Sequence, residues 1–279
     1  MESVKPNGAA RGEVESFYDD FSRRFIEDIV LANERVAQQL IFFSNAIPSS
    51  SERILIIGFG SGQVAYSLAT KTANQATITA LDVSAENLRL AQSLYPHPRI
   101  EYQKLDVITE AVDGEWDVIV LPDVYEHIPA QARPVLHSKL NQGLTANGRV
   151  LLTIPSPGKQ DSLRTAGRGL QIIDETVTLI DLVRLADDVG GLLTYFNMIS
   201  VWETDDYIHA AIERGAQHVR AIREPDMIPL KGWPRRTVWT RGREFLAHRL
   251  YLSKLQQTLR RWRIQNRLRR RAAATTSSR

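Results

Sequence analysis

Three glycines and two carboxylates in this chain are spaced to hold a nucleotide-type cofactor. Gly58, Gly60 and Gly62 alternate within Gly58-Phe59-Gly60-Ser61-Gly62. With no Cβ in the way, such a loop turns sharply and lets its backbone lie against a ligand. Asp82 follows Gly62 by twenty residues, the separation at which a carboxylate accepts from both hydroxyls of a ribose. Asp106 ends a further strand, Ile100 to Leu105, placed to meet an adenine amino group. The glycines alone also fit a tight strand-to-helix turn with no ligand, and the two acids count against that.

A second group, Asp123, Glu126 and His127, falls within five residues. An imidazole titrates near neutrality and can take a proton from a positioned hydroxyl. Glu126 and Asp123 could orient it, or with it hold a divalent metal that lowers the hydroxyl's pKa. The plainer alternative is that His127 caps the following helix. His209 could face the same site from a late strand, whereas His137 reads as surface and Trp202 as core.

These residues need elements to position them. Ile54 to Ile57 are four consecutive aliphatics, as in a strand buried on both faces. A helix over 62–72 packs Val64 and Leu68 inward, and further strands run over 76–81, 100–105, 117–121 and 149–154. Helices over 84–94 and 130–142 alternate with them, the first capped by Ser84 with Asn87 in place of the box acid. This alternation predicts an α/β, doubly wound, mostly parallel sheet with its ligand at the carboxyl ends of the strands. Pro155 to Gly169, rich in Gly and Pro, reads as a mobile loop; a helix then runs to Asp188, and 192–201 and 207–212 supply the last strands. The pairs Asp187-Asp188 and Asp205-Asp206 read as solvated surface charges. Before the sheet, Glu13 to Ile47 carries Phe17, Phe21, Phe25, Ile29, Val36, Leu40 and Phe43 at helical spacing, after a disordered start.

The pieces Gly58-Phe-Gly-Ser-Gly62, Leu81-Asp82-Val83, Leu105-Asp106-Val107 and Trp116-Asp-Val-Ile-Val120 resemble the class I S-adenosylmethionine-dependent methyltransferases over roughly residues 50 to 155. The resemblance implies a Rossmann-like seven-stranded sheet closed by an antiparallel hairpin, with a helical lid over residues 1–50, the domain over 51–214 and a basic helical extension over 215–279. It also implies S-adenosylmethionine as cofactor, with the glycine loop on its methionine part, Asp82 and Val83 at the ribose, and Asp106 and Val107 at the adenine. Tyr18, in a Tyr-Asp pair, would touch cofactor or substrate. One departure is that Ile56 stands where the family carries an acid, so the methionine amino group must find backbone carbonyls and Asp123.

The chain has 279 residues, 43% of them hydrophobic, and no cysteine, which excludes disulfides and thiolate metal sites or nucleophiles. It has no apolar signal core and no membrane-length apolar run, so a cytoplasmic protein is expected. The net charge of +3 hides an asymmetry: residues 1–230 carry 20 Lys/Arg against 31 Asp/Glu, and residues 231–279 carry 15 against Glu244 alone. From Arg241 to Arg271 an apolar stripe of Phe245, Leu252, Leu255, Leu259 and Trp262 runs through the arginines. Such a helix could dock on the acidic body, dimerise, or bind an anionic membrane or membrane-bound biosynthetic complex at the inner surface, the last being favoured.

The reading that results is O-methylation of a sugar, glycan or other small-molecule hydroxyl, with His127 as base. The entry segment and Trp202-Glu-Thr-Asp-Asp-Tyr-Ile-His209 are similar to those of bacterial surface-glycan methyltransferases. The rivals are an RNA methyltransferase using the basic tail and an NAD- or FAD-dependent oxidoreductase using Gly60-Ser-Gly62-Gln-Val-Ala65.

Overall fold

The computed structural model describes Phe17 and residues 25–31, 33–73, 75–167, 171–215 and 254–276. Tyr18 and the tail residues 241–253 lie outside them. Seven strands, β1 (Arg53–Ile57), β2 (Thr77–Asp82), β3 (Ile100–Lys104), β4 (Trp116–Pro122), β5 (Leu144–Pro155), β6 (Gly191–Ile199) and β7 (Tyr207–Arg214), form one sheet in the order β3-β2-β1-β4-β5-β7-β6. The first five are mutually parallel, and β7 pairs antiparallel with both β5 and β6. The aliphatic run of β1 explains why the sheet is central. Ile54 and Ile56 enter the core beneath the helices Glu34–Ala46 and Gln63–Ser67, while Leu55 and Ile57 enter the core beneath Arg133–Gly143 and Leu179–Asp188. Each fully buried aliphatic contributes about 1.5–3 kcal/mol, so β1 anchors both layers.

Two local expectations change. Residues 155–169 are not a loop: Pro157–Ala166 is a helix whose Ser156 side chain accepts from the Lys159 amide and whose chain ends on Gly167 in the left-handed region. Ser at the cap, Pro in the first turn and Gly after the last turn are helix boundary signals. Asp206, expected on the surface, is 2% exposed and accepts from the backbone N–H groups of Val201, Trp202 and Glu203, holding the β6–β7 turn.

The basic helix is Lys254–Thr276, and it docks on the body. Ile264 is buried against Val30, Leu90 and Leu94, with Phe25, Ile26, Ile29 and Leu268 alongside. Arg260 and Arg267 donate to the carbonyls of Val30 and Leu94, and Arg261 pairs with Glu27 at 2.7 Å. Leu259 and Trp262, by contrast, are 46% and 59% exposed on its outer side. No helix among the described residues is long and apolar enough to cross a membrane.

Candidate active site

The carboxyl ends of the central strands open onto one cavity of about 960 Å³, at the upper end of the range for ligand pockets. The strand order lays its floor out in a row: Asp106 past β3, Asp82 at the end of β2, Gly58 to Gly60 past β1, and Asp123 past β4. Phe59, Ser61, Val83, Val107, Glu126 and His127 also line it. Gly62 does not; its backbone caps the helix Gln63–Ser67, and a Cβ there would press on Tyr102 and Ala91. Its part is packing under the loop.

The glycine loop leaves no room for side chains. Gly60 has φ +54, and a Cβ there would stand 2.9 Å from the ring of Phe25, which the entry segment lays over the loop. Asp82 fixes the loop from beneath: the Gly60 amide donates to Oδ2 at 2.9 Å, and Ser84 N and Asn87 Nδ2 donate to Oδ1 at 3.0 and 3.1 Å. Asn87, which leaves the capping box incomplete, is thus used to hold Asp82. Asp106 folds its own turn, accepting from Ile108 N and Thr109 Oγ1 at 2.9 Å each. Lys139 steadies that turn by donating to the carbonyls of Val107 and Ile108.

Asp123, at φ +55, turns the chain sharply out of β4. Its carboxylate pairs with Arg35 and accepts from Thr153 Oγ1 at 3.0 Å, and Thr153 in turn accepts from Gln39 Nε2 at 2.9 Å. Arg35 and Gln39 sit four apart on the helix Glu34–Ala46, which Asn33 caps by accepting from the Arg35 amide. Sequence reasoning missed both. The available signal was Arg35 and Gln39 one turn apart, in line with the apolar Phe42, Phe43 and Ala46 on the same helix face.

His127 lies in the short helical turn Tyr125–His127. Its Nδ1 is 2.7 Å from the carbonyl oxygen of Ile173 and 3.5 Å from Asp174 Oδ1. A carbonyl only accepts, so Nδ1 carries the proton and, in the neutral ring, Nε2 holds the lone pair. Burial pushes the imidazole below its ordinary value, against the pull of Asp174. Glu126 is 1% exposed, and burial pushes its carboxyl up to about 8. At neutral pH the two are therefore a carboxylic acid beside a neutral imidazole. Their closest approach, 3.7 Å between Nε2 and Oε1, is too long for a hydrogen bond. The ring is oriented by the 171–175 segment, not by Glu126 as expected. Among the described residues no three His, Asp or Glu side chains converge as a metal site.

The remaining aromatic and histidine expectations are also revised. His137 is 5% exposed, bridging Tyr125 Oη at 2.8 Å and Asp188 at 2.6 Å. It locks the helix Arg133–Gly143 to the helix Leu179–Asp188, and Asp188 is its partner, not a purely solvated charge. His209 stacks on Phe42 at 4.8 Å, away from the cavity lining. Trp202 is 55% exposed and lines the cavity, so it is not core.

A sheet in the order 3-2-1-4-5-7-6 with a glycine loop and strand-end acids around one cavity defines a class I methyltransferase fold. Residues 54–148 match the family described as a methyltransferase domain. Over 153 residues it is 31% identical to a tRNA1(Val) (adenine(37)-N6)-methyltransferase of Glaesserella parasuis, covering 48% of this chain and 65% of that one. The magnesium protoporphyrin IX methyltransferase of Synechocystis, solved with S-adenosylhomocysteine, shares the fold at 17% identity and TM-score 0.57, covering 73% of this chain and 99% of its own. An O-methyltransferase family protein from Burkholderia thailandensis does so at 13% identity and TM-score 0.58, covering 74% of this chain and 63% of its own. These relatives leave the oxidoreductase reading without support.

Proposed function

We propose that the protein transfers a methyl group from S-adenosylmethionine to a hydroxyl oxygen of a small polar acceptor, a sugar or glycan, with His127 as the base. The observation that carries this reading is the tautomer of His127, which leaves its basic nitrogen at Nε2 on a cavity-lining ring. Bound against the glycine loop, the cofactor supplies a methyl already activated on a sulfonium. The residues then have two tasks, alignment and removal of one proton. Gly58 to Gly60, Asp82 and Asp106 hold the donor, and Nε2 accepts the hydroxyl proton. Glu126, kept protonated by burial, places no competing charge beside the ring. Trp202, packed edge-on to Tyr207 at 6.0 Å, offers an exposed aromatic wall at the cavity for an acceptor ring.

Methylation of RNA is the second reading, favoured by the tRNA relative and the basic tail. An extruded base is held between aromatic or apolar faces. The aromatic residue in the turn after β4, Tyr125, is 1% exposed and bonded to His137, so its ring cannot serve. The outer face of Lys254–Thr276, with Leu259 and Trp262 among arginines, supports work at an anionic membrane surface, where lipid-linked glycans lie. Transfer of labelled methyl into fractionated cell extract tests the proposal: label in glycan or small polar molecules upholds it, and label confined to RNA rejects it.

A further inference from the structure

We propose that Glu126 and Gln171 bind a second hydroxyl beside the one that is methylated, so that the acceptor is an uncharged vicinal polyol, as a neutral sugar ring is. This deepens the reading above and rests on His127 as the base. The two residues share one wall because the turn after β4 and the 171–175 segment are stitched together. Glu175 N donates to the carbonyl of Glu126 at 2.9 Å, and His127 Nδ1 donates to that of Ile173 at 2.7 Å. Glu126, His127, Gln171 and Asp174 all line the cavity there, together with Trp202 and Tyr207 of the β6–β7 hairpin.

The charged groups of this wall are already paired within the protein. Asp174 accepts from Gln171 N at 2.6 Å and from Gln160 Nε2 at 3.3 Å. Lys159 pairs with Glu203 at 2.9 Å, and Arg35 with Asp123. Two oxygens differ: Glu126 Oε2 and Gln171 Oε1 are buried with no hydrogen-bond partner among the described residues. Buried polar atoms are nearly always paired in folded proteins, so unpaired ones in a cavity wall mark where a ligand's polar atoms belong. An amide oxygen only accepts. Burial keeps the Glu126 carboxyl protonated, helped by Asp174 and opposed by its own backbone amide, Arg35 and Arg133, so it donates. His127 and Tyr207, which stand beside it, bring no charge, since burial lowers the imidazole and raises the phenol. A hydroxyl satisfies both oxygens, giving its proton to Gln171 and taking one from Glu126. A carboxylate or phosphate has no proton for Gln171, and an ammonium has no lone pair for Glu126. The reacting hydroxyl is committed to His127 Nε2, so the one read here is its neighbour. A site built to pair with a hydroxyl strongly rejects the analogue that lacks it.

Two experiments on the full chain test this. In the first, cell extract is labelled from S-adenosylmethionine carrying a tritiated methyl, and the product is broken into single units and separated by charge. Label should run with neutral sugars. Oxidising the extract beforehand with periodate, which cleaves between adjacent hydroxyls, should remove its acceptor capacity. Label in an acidic unit, or labelling that survives periodate, would overturn the inference while leaving transfer to oxygen in place. Label on a nucleobase would overturn the reading beneath it. In the second, the amount of acceptor fraction that half-saturates the enzyme is compared among variants that bind S-adenosylhomocysteine as wild type does. Glu126→Met and Gln171→Met should each raise that amount roughly 10-fold, and Glu126→Gln, which keeps a donor, should change it little. In wild type it should rise above pH about 8, where Glu126 loses its proton, and in Glu126→Gln it should not. Unchanged half-saturation in both methionine variants, or the same rise with pH in Glu126→Gln, would overturn the assignment.

Discussion

Replacing Glu126 with glutamine should stabilise the protein at neutral pH and flatten its pH dependence. The carboxyl is 1% exposed, and burial raises it from its ordinary 4.5 to about 8. In the unfolded chain the group ionises near 4.5; in the folded chain it keeps its proton to about 8. Between those values the folded state binds the extra proton, so stability falls as pH rises. From 4.5 to 7 the interval is roughly 2.5 pH units at about 1.36 kcal/mol each, giving ~3 kcal/mol as an upper figure. Glutamine keeps the shape and has no charge to exclude. Urea unfolding of both proteins at pH 5 and pH 7.5 should give similar stabilities at pH 5. At pH 7.5 glutamine should lead by about 1–3 kcal/mol. Parallel curves, or a wild type that leads at pH 7.5, would mean that Glu126 is ionised and paired in the folded protein, and the reasoning would fail.

Other outcomes follow from the same geometry. Asp82→Ala should weaken S-adenosylhomocysteine binding by about 1–3 kcal/mol, because the Gly60 amide and, in the proposed site, the ribose hydroxyls lose their acceptor; unchanged affinity in calorimetry would remove Asp82 from the site. His127→Ala should cut turnover roughly 10²–10⁴-fold with cofactor affinity intact. The wild-type rate should rise with pH through an apparent pKa below 6.5 and then level, since burial depresses this imidazole. His209, depressed by burial to about 4, stays neutral when folded while the unfolded chain protonates from 6.5 downward. Stability should therefore fall between those values, and His209→Phe, which preserves the stack on Phe42, should resist acid better in denaturant melts. Wild-type protein should sediment with anionic vesicles at low salt, and a Leu259→Ser, Trp262→Ala variant should not; equal sedimentation would exclude the helix's outer face.

Much of the scaffold was legible because it depends on local pattern. Four aliphatics before a glycine suit a strand with both faces covered, and the acids ending the next two strands fall beside the loop once the sheet is parallel. The helix Pro157–Ala166 was also written in its Ser-Pro start and Gly stop, but those residue types serve loops equally well. What stayed hidden depends on distant partners. His137 looked like a surface histidine until Tyr125 and Asp188 enclosed it, and Asp206 looked solvated until the turn's amides converged on it. Arg35 is 88 positions from Asp123, and only the packing of the entry helix over β4 joins them. Docking on the body was one of three readings of the basic helix, with a membrane partner favoured; its inner face, through Ile264, Arg260 and Arg261, binds the entry segment that covers Gly60.

The central claim is methyl transfer to oxygen from a cofactor held at the glycine loop. The most direct measurement incubates the protein with S-adenosylmethionine carrying a carbon-13 methyl and the acceptor fraction of cell extract, then records the carbon spectrum of the isolated product. A new O-methyl resonance on a sugar or small polar molecule is expected, weakened with Asp82→Ala and nearly lost with His127→Ala. An N-methyl resonance on a nucleobase, or an O-methyl product that forms equally well without His127, would contradict it.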